Sequence, residues 1–327
     1  MYLVTGGAGM IGSNIVAELT GAGHEVVVCD WLRQDERWRN LAKHDVVDVI
    51  LPGALFDWLA RNGDAVRGIV HMGAISATTE TDVDAIVQNN IRLTLDLWDW
   101  CTGHSVPFVY ASSAATYGDG SAGFDDEFSR EALAKLLPLN AYGWSKHFID
   151  RRIAAIIDKG GPTPPQWVGL KFFNVYGPNE YHKGSMKSVV AQNTASVASG
   201  EPLRLFRSHR PDYADGGQMR DFIYVKDAAR VVAWLLAHNE VSGLFNLGTG
   251  QARSWLDLGR SIFAALALPE AIEFIEMPEQ LRGKYQYFTE AKMNRLRQAG
   301  YSEPFTSLED GISDYLQHYL TTPDAYR

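Results

Sequence analysis

The first dozen residues constrain this chain more than any other stretch. A short β-branched run, Tyr2 to Thr5, passes directly into Gly6-Gly7-Ala8-Gly9-Met10-Ile11-Gly12 and then into a helical pattern over Ile11 to Gly21. In that setting the glycines have separate uses: Gly6 makes a tight turn, Gly9 lets backbone approach a pyrophosphate, and Gly12 permits close helix packing. The helix N-terminus offers unpaired N–H groups to the phosphates. A second strand, Glu25 to Cys29, ends at Asp30, where a carboxylate reaches ribose hydroxyls. A glycine-rich hairpin is the competing reading. Strand, loop, helix and acidic strand end in the expected order argue against it.

Short apolar runs then alternate with longer helical patterns, the order of βαβ units around a parallel sheet. Gly68 to Met72, Pro107 to Ala111 and Trp167 to Phe173 read as further strands, and Val83 to Cys101 and Ala141 to Ile157 as helices. After Gly177-Pro178 the pattern becomes irregular, with Gly, Pro and charge mixed through Asp221; strand-like runs return at Phe222 to Val225 and Leu244 to Leu247. The expected fold is α/β: a doubly wound parallel sheet of Rossmann type with a smaller, interleaved C-terminal substrate domain. Residues 1–174 and about 220–250 form the dinucleotide domain, and about 175–219 with 251–327 the other.

Other classes are excluded by composition. The 327 residues, 46% hydrophobic and 21% charged, suit a large globular core. They hold neither an apolar run long enough to span a bilayer nor a basic stretch before an apolar signal, so no membrane association and a cytoplasmic setting are expected. A net charge of −9 with scattered basic residues disfavours nucleic acid. The nine histidines include no His-x-x-x-His pair, so no metal site is expected. Cys29 and Cys101 read as reduced core thiols.

Tyr142 and Lys146 lie four residues apart on a predicted helix, one turn apart on one face, downstream of a strand ending Ala111-Ser112-Ser113. An ammonium beside a phenol favours its ionised form, and Ser113 can hold an alcohol, so the trio points to hydride chemistry. Taken alone, Tyr-x-x-x-Lys also fits any exposed helix. Around the dinucleotide, Asp30 by itself favours NAD, whereas Arg33, Arg37 and Arg39 can clamp a 2′-phosphate and admit NADP; a solvated basic turn is the alternative. Trp31 adjoins this group. Met72-Gly73-Ala74, followed by Ile75 and Ser76, forms a small-residue turn against which a cofactor can lie, and Asn89 is a candidate donor from the next helix.

Several motifs occur together: the glycine loop, Ser112-Ser113, Tyr142-x-x-x-Lys146, Asn174-Val175-Tyr176-Gly177-Pro178, Arg220-Asp221-Phe222 and Asn246-Leu247-Gly248-Thr249-Gly250. This set resembles the extended short-chain dehydrogenase/reductases acting on nucleotide sugars, over nearly the whole chain. Ala111 to Gly118, Lys171 to Met186 and Leu281 to Phe288 narrow the resemblance to the ADP-L-glycero-D-manno-heptose 6-epimerase family. That family inverts C6″ of an ADP-heptose with tightly held NADP, supplying a precursor of the lipopolysaccharide inner core in Gram-negative bacteria.

The resemblance implies two acid/base residues on opposite sides of the reacting carbon, Tyr142 and Lys183. It also implies that Lys146 and Ser113 serve Tyr142 and the reacting oxygen, and that Val175 and Lys183 adjoin the cofactor. Substrate contacts are implied at Asn174, Ser185, Arg220, Tyr285 and the run Phe206-Arg207-Ser208-His209. Gln192 stands where the family pattern has histidine, Met72 where it has an acidic residue, and Arg210 to Met219 forms an extended loop. These departures bear on the sugar. A homo-oligomer is expected. Rival readings are a nucleotide-sugar C4 epimerase, a 4,6-dehydratase, which Ala114-Ala115-Thr116 disfavours because the acidic pair is missing, and a non-catalytic dinucleotide sensor.

Overall fold

A computed structural model describes residues 1–282 and 285–327. Seven parallel strands form the central sheet: β1 (Tyr2–Thr5), β2 (Val26–Cys29), β3 (Asp48–Ile50), β4 (Gly68–His71), β5 (Phe108–Ser113), β6 (Trp167–Phe172) and β10 (Gly243–Leu247). Their spatial order is β10-β6-β5-β4-β1-β2-β3, so the winding reverses between β1 and β4. Such a reversal opens a crevice beyond the carboxyl ends of the strands. The glycine loop leaves β1 there, and the Met72-Gly73 turn leaves β4 beside it.

The strands are nearly continuous apolar runs because both faces are covered. Alternate side chains enter two cores. Val4, Val28, Val70 and Val109 pack with the helices Met10–Gly21 and Val225–Ala237 on one face. Leu3, Val27, Ile69 and Phe108 pack with Leu93–His104 and Ala141–Asp158 on the other. Cys29 and Cys101 are buried free thiols in the second core. A third core, including Val190, Leu205, Phe222, Leu258, Ile312 and Tyr315, joins two small sheets to the C-terminal helices. One sheet is β7 (Asn174–Tyr176), β9 (Met219–Tyr224) and β11 (Ala252–Ser254); the other pairs β8 (Leu203–Phe206) with β12 (Ile272–Ile275).

The helix expected over Val83 to Cys101 is interrupted. Val83–Ile86 and Leu93–His104 flank a wide π-type turn at Val87–Arg92, which carries the buried Asn90 towards the cleft. The small strands β3, β7, β8, β11 and β12 were not anticipated: unlike the four-residue strands β2 and β4, which are buried throughout, they carry half-buried or exposed residues, so no continuous apolar run marks them. No helix among the described residues is long and apolar enough to cross a membrane.

Candidate active site

A cleft of about 740 Å³ opens at the reversal of strand order. Its wall includes Gly6, Gly9, Met10, Ile11 and Gly12 from the loop after β1, Asp30, Arg33 and Arg37 from the turn after β2, and Met72, Gly73, Ala74, Ile75 and Ser76 after β4. Close packing explains the glycines. A Cβ on Gly6, whose φ is +65°, would stand 2.6 Å from the Gly73 amide nitrogen, and one on Gly12 would stand 2.1 Å from the Gly6 carbonyl oxygen. Gly9 is different: its Cβ would meet only the Gly6 oxygen, at 3.2 Å. The loop is shaped for a phosphate-bearing ligand at the helix start.

Asp30 accepts the Ala8 amide at 2.9 Å and the Trp31 amide at 2.7 Å, which fixes its carboxylate across the loop. Burial raises its pKa, and these bonds with the Arg37 charge pull it back. Arg37 is gripped by Asp35 through Nε and Nη2, both at 2.8 Å, so its guanidinium is set in place at the cleft edge. Arg33 holds a left-handed backbone, φ 52°, and also lines the cleft. Arg39 turns away, pairing with Glu36 and covering the Tyr326 ring. Trp31 is 47% exposed beside this edge, outside the cleft wall.

Asn89 does not reach the cleft, because its amide caps the Ala85 carbonyl one turn back on its own helix. Its neighbour Asn90 is the residue that shapes the turn. Asn90 accepts the Ile75 amide at 2.8 Å, donates to the Ile75 carbonyl at 2.9 Å, and bonds Ser145 Oγ at 3.0 Å. The π-type turn moves the inward face by one residue, and helical spacing alone gave no sign of it.

Ser113, Tyr142 and Lys146 meet at the floor of the same cleft. Ser113 ends β5, and Asn140 caps the helix Ala141–Asp158 by accepting the Gly143 amide at 2.8 Å. Gly143 lets the helix close on the turn after β5; a Cβ there would lie 2.7 Å from the Ala115 oxygen. Burial raises the Tyr142 pKa, and a hydrogen bond with Ser113 draws it down. Burial also lowers Lys146, to about 8, against the attraction of Asp150. Burial thus sets the direction of the phenol's shift, and the expected easing of its ionisation by Lys146 is not among the causes.

Asn174 and Val175 line the cleft from β7, and Lys183 from the segment Tyr181–Met186. The Lys183 ammonium lies 3.7 Å from the thioether of Met10, against the glycine loop. Its pKa is lowered by burial and partly restored by Glu180. His182 and Lys187 stand beside it in the wall. Ser185, within this segment, and Gln192, on the helix that follows, are not part of the wall: Gln192 donates to the Ser185 and Lys187 carbonyls at 3.1 and 2.6 Å. Gln192 thus holds the loop that carries Lys183.

Phe206, Arg207, Ser208, His209, Arg220 and Tyr285 form a second cluster that adjoins the cleft at Trp255. Arg207 and Ser208 are tied to Asp215, and His209 donates its amide to the Tyr287 hydroxyl at 3.0 Å. Arg220 is 8% exposed, with its guanidinium 5.1 Å from the Tyr285 ring centre and 6.0 Å from that of Trp255. Neighbouring carboxylates are engaged elsewhere. Asp221 accepts Thr249, Gly250 and Ala291 amides, and Asp227 accepts Thr306 and pairs with Arg230. Among the described residues Arg220 forms no ion pair, so a buried cation waits for an anion. Gly283 and Lys284, within the motif Leu281 to Phe288, lie outside the described residues. Among the described residues no cluster of His, Cys, Asp and Glu is arranged for a metal.

Residues 2–248 match the NAD dependent epimerase/dehydratase family. ADP-L-glycero-D-manno-heptose-6-epimerase of Fusobacterium nucleatum is 45% identical, and that of Nitratidesulfovibrio vulgaris 48% identical, each over 100% of both chains. Among solved structures, ADP-L-glycero-D-manno-heptose-6-epimerase of Helicobacter pylori superposes with a TM-score of 0.77 at 26% identity, covering 97% of this chain and 95% of that one. The Thermus thermophilus UDP-glucose 4-epimerase complex with NAD gives 0.73 at 25% identity, over 97% and 98%. Nucleotide-sugar 4-epimerases thus share the fold at lower sequence identity than the heptose epimerases matched over full length. The glycine loop, the Tyr142 and Lys146 pair and the full-length likeness agree: this chain belongs to the NAD dependent epimerase/dehydratase family, in its ADP-L-glycero-D-manno-heptose-6-epimerase branch.

Proposed function

We propose that this chain inverts C6″ of ADP-D-glycero-D-manno-heptose to give ADP-L-glycero-D-manno-heptose, a step in making the lipopolysaccharide inner core, with NADP held in the cleft. The observation that carries the reading is Lys183. A second, desolvated amine faces the glycine loop in the cleft that also holds Tyr142 and Lys146, and inversion by oxidation and re-reduction presents the reacting oxygen in two positions, each served by its own proton-transferring group. Supporting the cofactor are the open approach at Gly9 and the helix N-terminus beyond it. Arg37, held by Asp35, and Arg33 favour a 2′-phosphate on the adenosine ribose.

When bound, the dinucleotide supplies the hydride acceptor and returns the same hydride. The chain does the rest. Ser113 holds the reacting oxygen by hydrogen bond, and Tyr142 takes the C6″ hydroxyl proton as the hydride leaves. The raised pKa of the phenol keeps it protonated in the empty cleft; the positive charge of an oxidised nicotinamide would lower it, the phenol proton leaving to solvent, so that the phenolate able to take the hydroxyl proton is tied to the loaded cleft. After the ketone turns its other face, Lys183, with its lowered pKa, gives the proton that completes the inverted alcohol. Arg220, stacked between Tyr285 and Trp255, binds the diphosphate of the ADP part. A homo-oligomer is part of the reading, supported by Trp144 and Phe148, exposed on one helix.

Incubation with ADP-D-glycero-D-manno-heptose, with C6″ followed by NMR and the copurified dinucleotide identified by mass, tests the proposal. Exchange of the two epimers with NADP aboard is expected. Failure of that exchange together with C4 inversion of a UDP-hexose would assign the chain to the C4 epimerases.

A further inference from the structure

Behind Ser113 and Lys146 lies a buried set of charged and polar groups that meets the cleft at Ser112 and that the proposed reaction does not use. Asp150 sits one helical turn beyond Lys146 and is 0% exposed. Its Oδ2 accepts Lys171 Nζ at 2.7 Å and Ser112 Oγ at 2.8 Å, and its Oδ1 accepts the Tyr110 hydroxyl at 3.3 Å. Lys171, also 0% exposed, donates to Thr116 Oγ1 at 2.6 Å, and its ammonium lies 5.0 Å from the Tyr117 ring centre.

One buried carboxylate is therefore paired with Lys171 and lies one helical turn from a second buried lysine, Lys146. Burying a charge pair is rarely stabilising compared with apolar groups of like size, so a purely structural gain does not explain this arrangement. Its location does. Ser112 precedes Ser113, Thr116 lies in the turn after β5, and Asp150 shares its helix with Tyr142 and Lys146.

We propose that Asp150 and Lys171 are positioning residues of the active centre. Asp150, one helical turn from Lys146, favours the charged form of its ammonium, and Lys171 fixes Asp150 to the strand that carries Ser113 while limiting how much of its charge Lys146 feels. The inference rests on the reading of Tyr142 and Lys146 as the reacting pair. The other groups about Lys146 and Asp150 are Tyr142 and His147 on the same helix, His71 on β4, and Tyr110 on β5, with Arg151 near His147. Burial lowers His71 to about 3 and His147 to about 4, and holds the Tyr110 phenol in its neutral form.

The test is the titration of Lys146 in the purified chain, read by NMR of 13C-lysine-labelled protein and assigned with Lys146→Met. Asp150→Asn should lower the Lys146 midpoint by about one unit or more, and Lys171→Met should raise it. The double variant should fall between wild type and Asp150→Asn, and Lys171→Arg should titrate as wild type. The pH profile of epimerisation should move with the midpoint. Shifts of one sign in both single variants, or an unmoved midpoint in folded Asp150→Asn, overturn the inference. If Lys171→Met does not fold, a double variant that titrates as Asp150→Asn does so for Lys171. Full epimerase activity in Tyr142→Phe and Lys146→Met would instead sink the reading of the reacting pair, a separate outcome.

Discussion

Gly9 and Gly12 lie three residues apart in the same loop, yet the structure gives alanine at the two positions opposite consequences. At Gly12 the added Cβ would stand 2.1 Å from the Gly6 carbonyl oxygen and 2.9 Å from the Gly7 Cα. Backbone must move, by roughly 1 Å, to restore ordinary contact. The Gly6 carbonyl also accepts the Gly9 amide at 3.0 Å, so its displacement weakens that bond. Overpacking of this kind costs ~1–3 kcal/mol and the bond ~1 kcal/mol, so Gly12→Ala should lower stability by ~2–4 kcal/mol. At Gly9 the Cβ meets one atom at 3.2 Å, φ is −73°, and alanine is merely a poorer helix cap. Gly9→Ala should therefore cost under ~1 kcal/mol, while its methyl fills space that a pyrophosphate needs. Urea denaturation of the chain freed of dinucleotide, followed by calorimetric titration with NADP, separates the two. Gly9→Ala should fold normally and bind poorly. Equal destabilisation by both substitutions, or undiminished NADP affinity in Gly9→Ala, would refute the reasoning.

Three further outcomes follow from the site. Lys183→Ala should slow epimer exchange at C6″ by ~100-fold or more while leaving NADP bound; exchange at full rate in the NMR assay removes the second acid/base. Arg37→Ala should narrow the preference for 2′,5′-ADP over 5′-AMP by about 10-fold, measured by calorimetry, and an unchanged preference means that the 2′-phosphate is held elsewhere. Lys146 titrates in the fold near 8, below its ordinary 10.5. Stability from its neutral form is complete above pH 10.5 and is lost as pH falls through 8. Lys146→Met should thus be more stable than wild type at pH 7 by ~3 kcal/mol, the gain fading between pH 8 and 10.5. Parallel stability curves for the two proteins contradict that.

What the sequence made legible was whatever depends on neighbours in the chain. The loop Gly6 to Gly12, the acidic end of β2 and the helical spacing of Tyr142 and Lys146 each announce their geometry within a few residues, and the central strands are apolar because both faces are covered. Asn90 shows the limit. One wide turn at Val87–Arg92 rotated the inward face by a residue, so Asn89 points along its helix and Asn90 shapes the cofactor-side turn. Neither Lys171 nor Asp150 announces a partner in sequence, being 21 residues apart and brought together by strand and helix packing. Arg220 was legible as a candidate phosphate ligand by type alone. That its neighbouring carboxylates are engaged by Thr249, Gly250, Ala291 and Thr306 required the fold.

The position of Lys183 depends on contacts between residues far apart in the chain. Its segment follows Asn179, which adopts φ 74°, donates to Ser13 Oγ at 3.0 Å and accepts the Arg327 amide at 3.0 Å. Asn40 bridges the Ala8 and Asn179 carbonyls, and Asn14 donates to Pro178, so the glycine loop and the lysine segment share one set of hydrogen bonds. Glu180, 0% exposed, accepts Ser188 Oγ at 2.6 Å and the Tyr315 hydroxyl at 3.2 Å, tying the other end to the C-terminal helices. Tyr181 donates to the Ala325 carbonyl and packs edge-on to Tyr326. The proposed pair of acid/base groups is thus fixed by two independent frames. Tyr142 is set by the central sheet through the cap of its helix, and Lys183 by a clasp between the glycine loop and the last residues of the chain. An inverting site must hold two such groups on opposite sides of a carbon while the sugar turns between them, and separate frames permit that without moving either group.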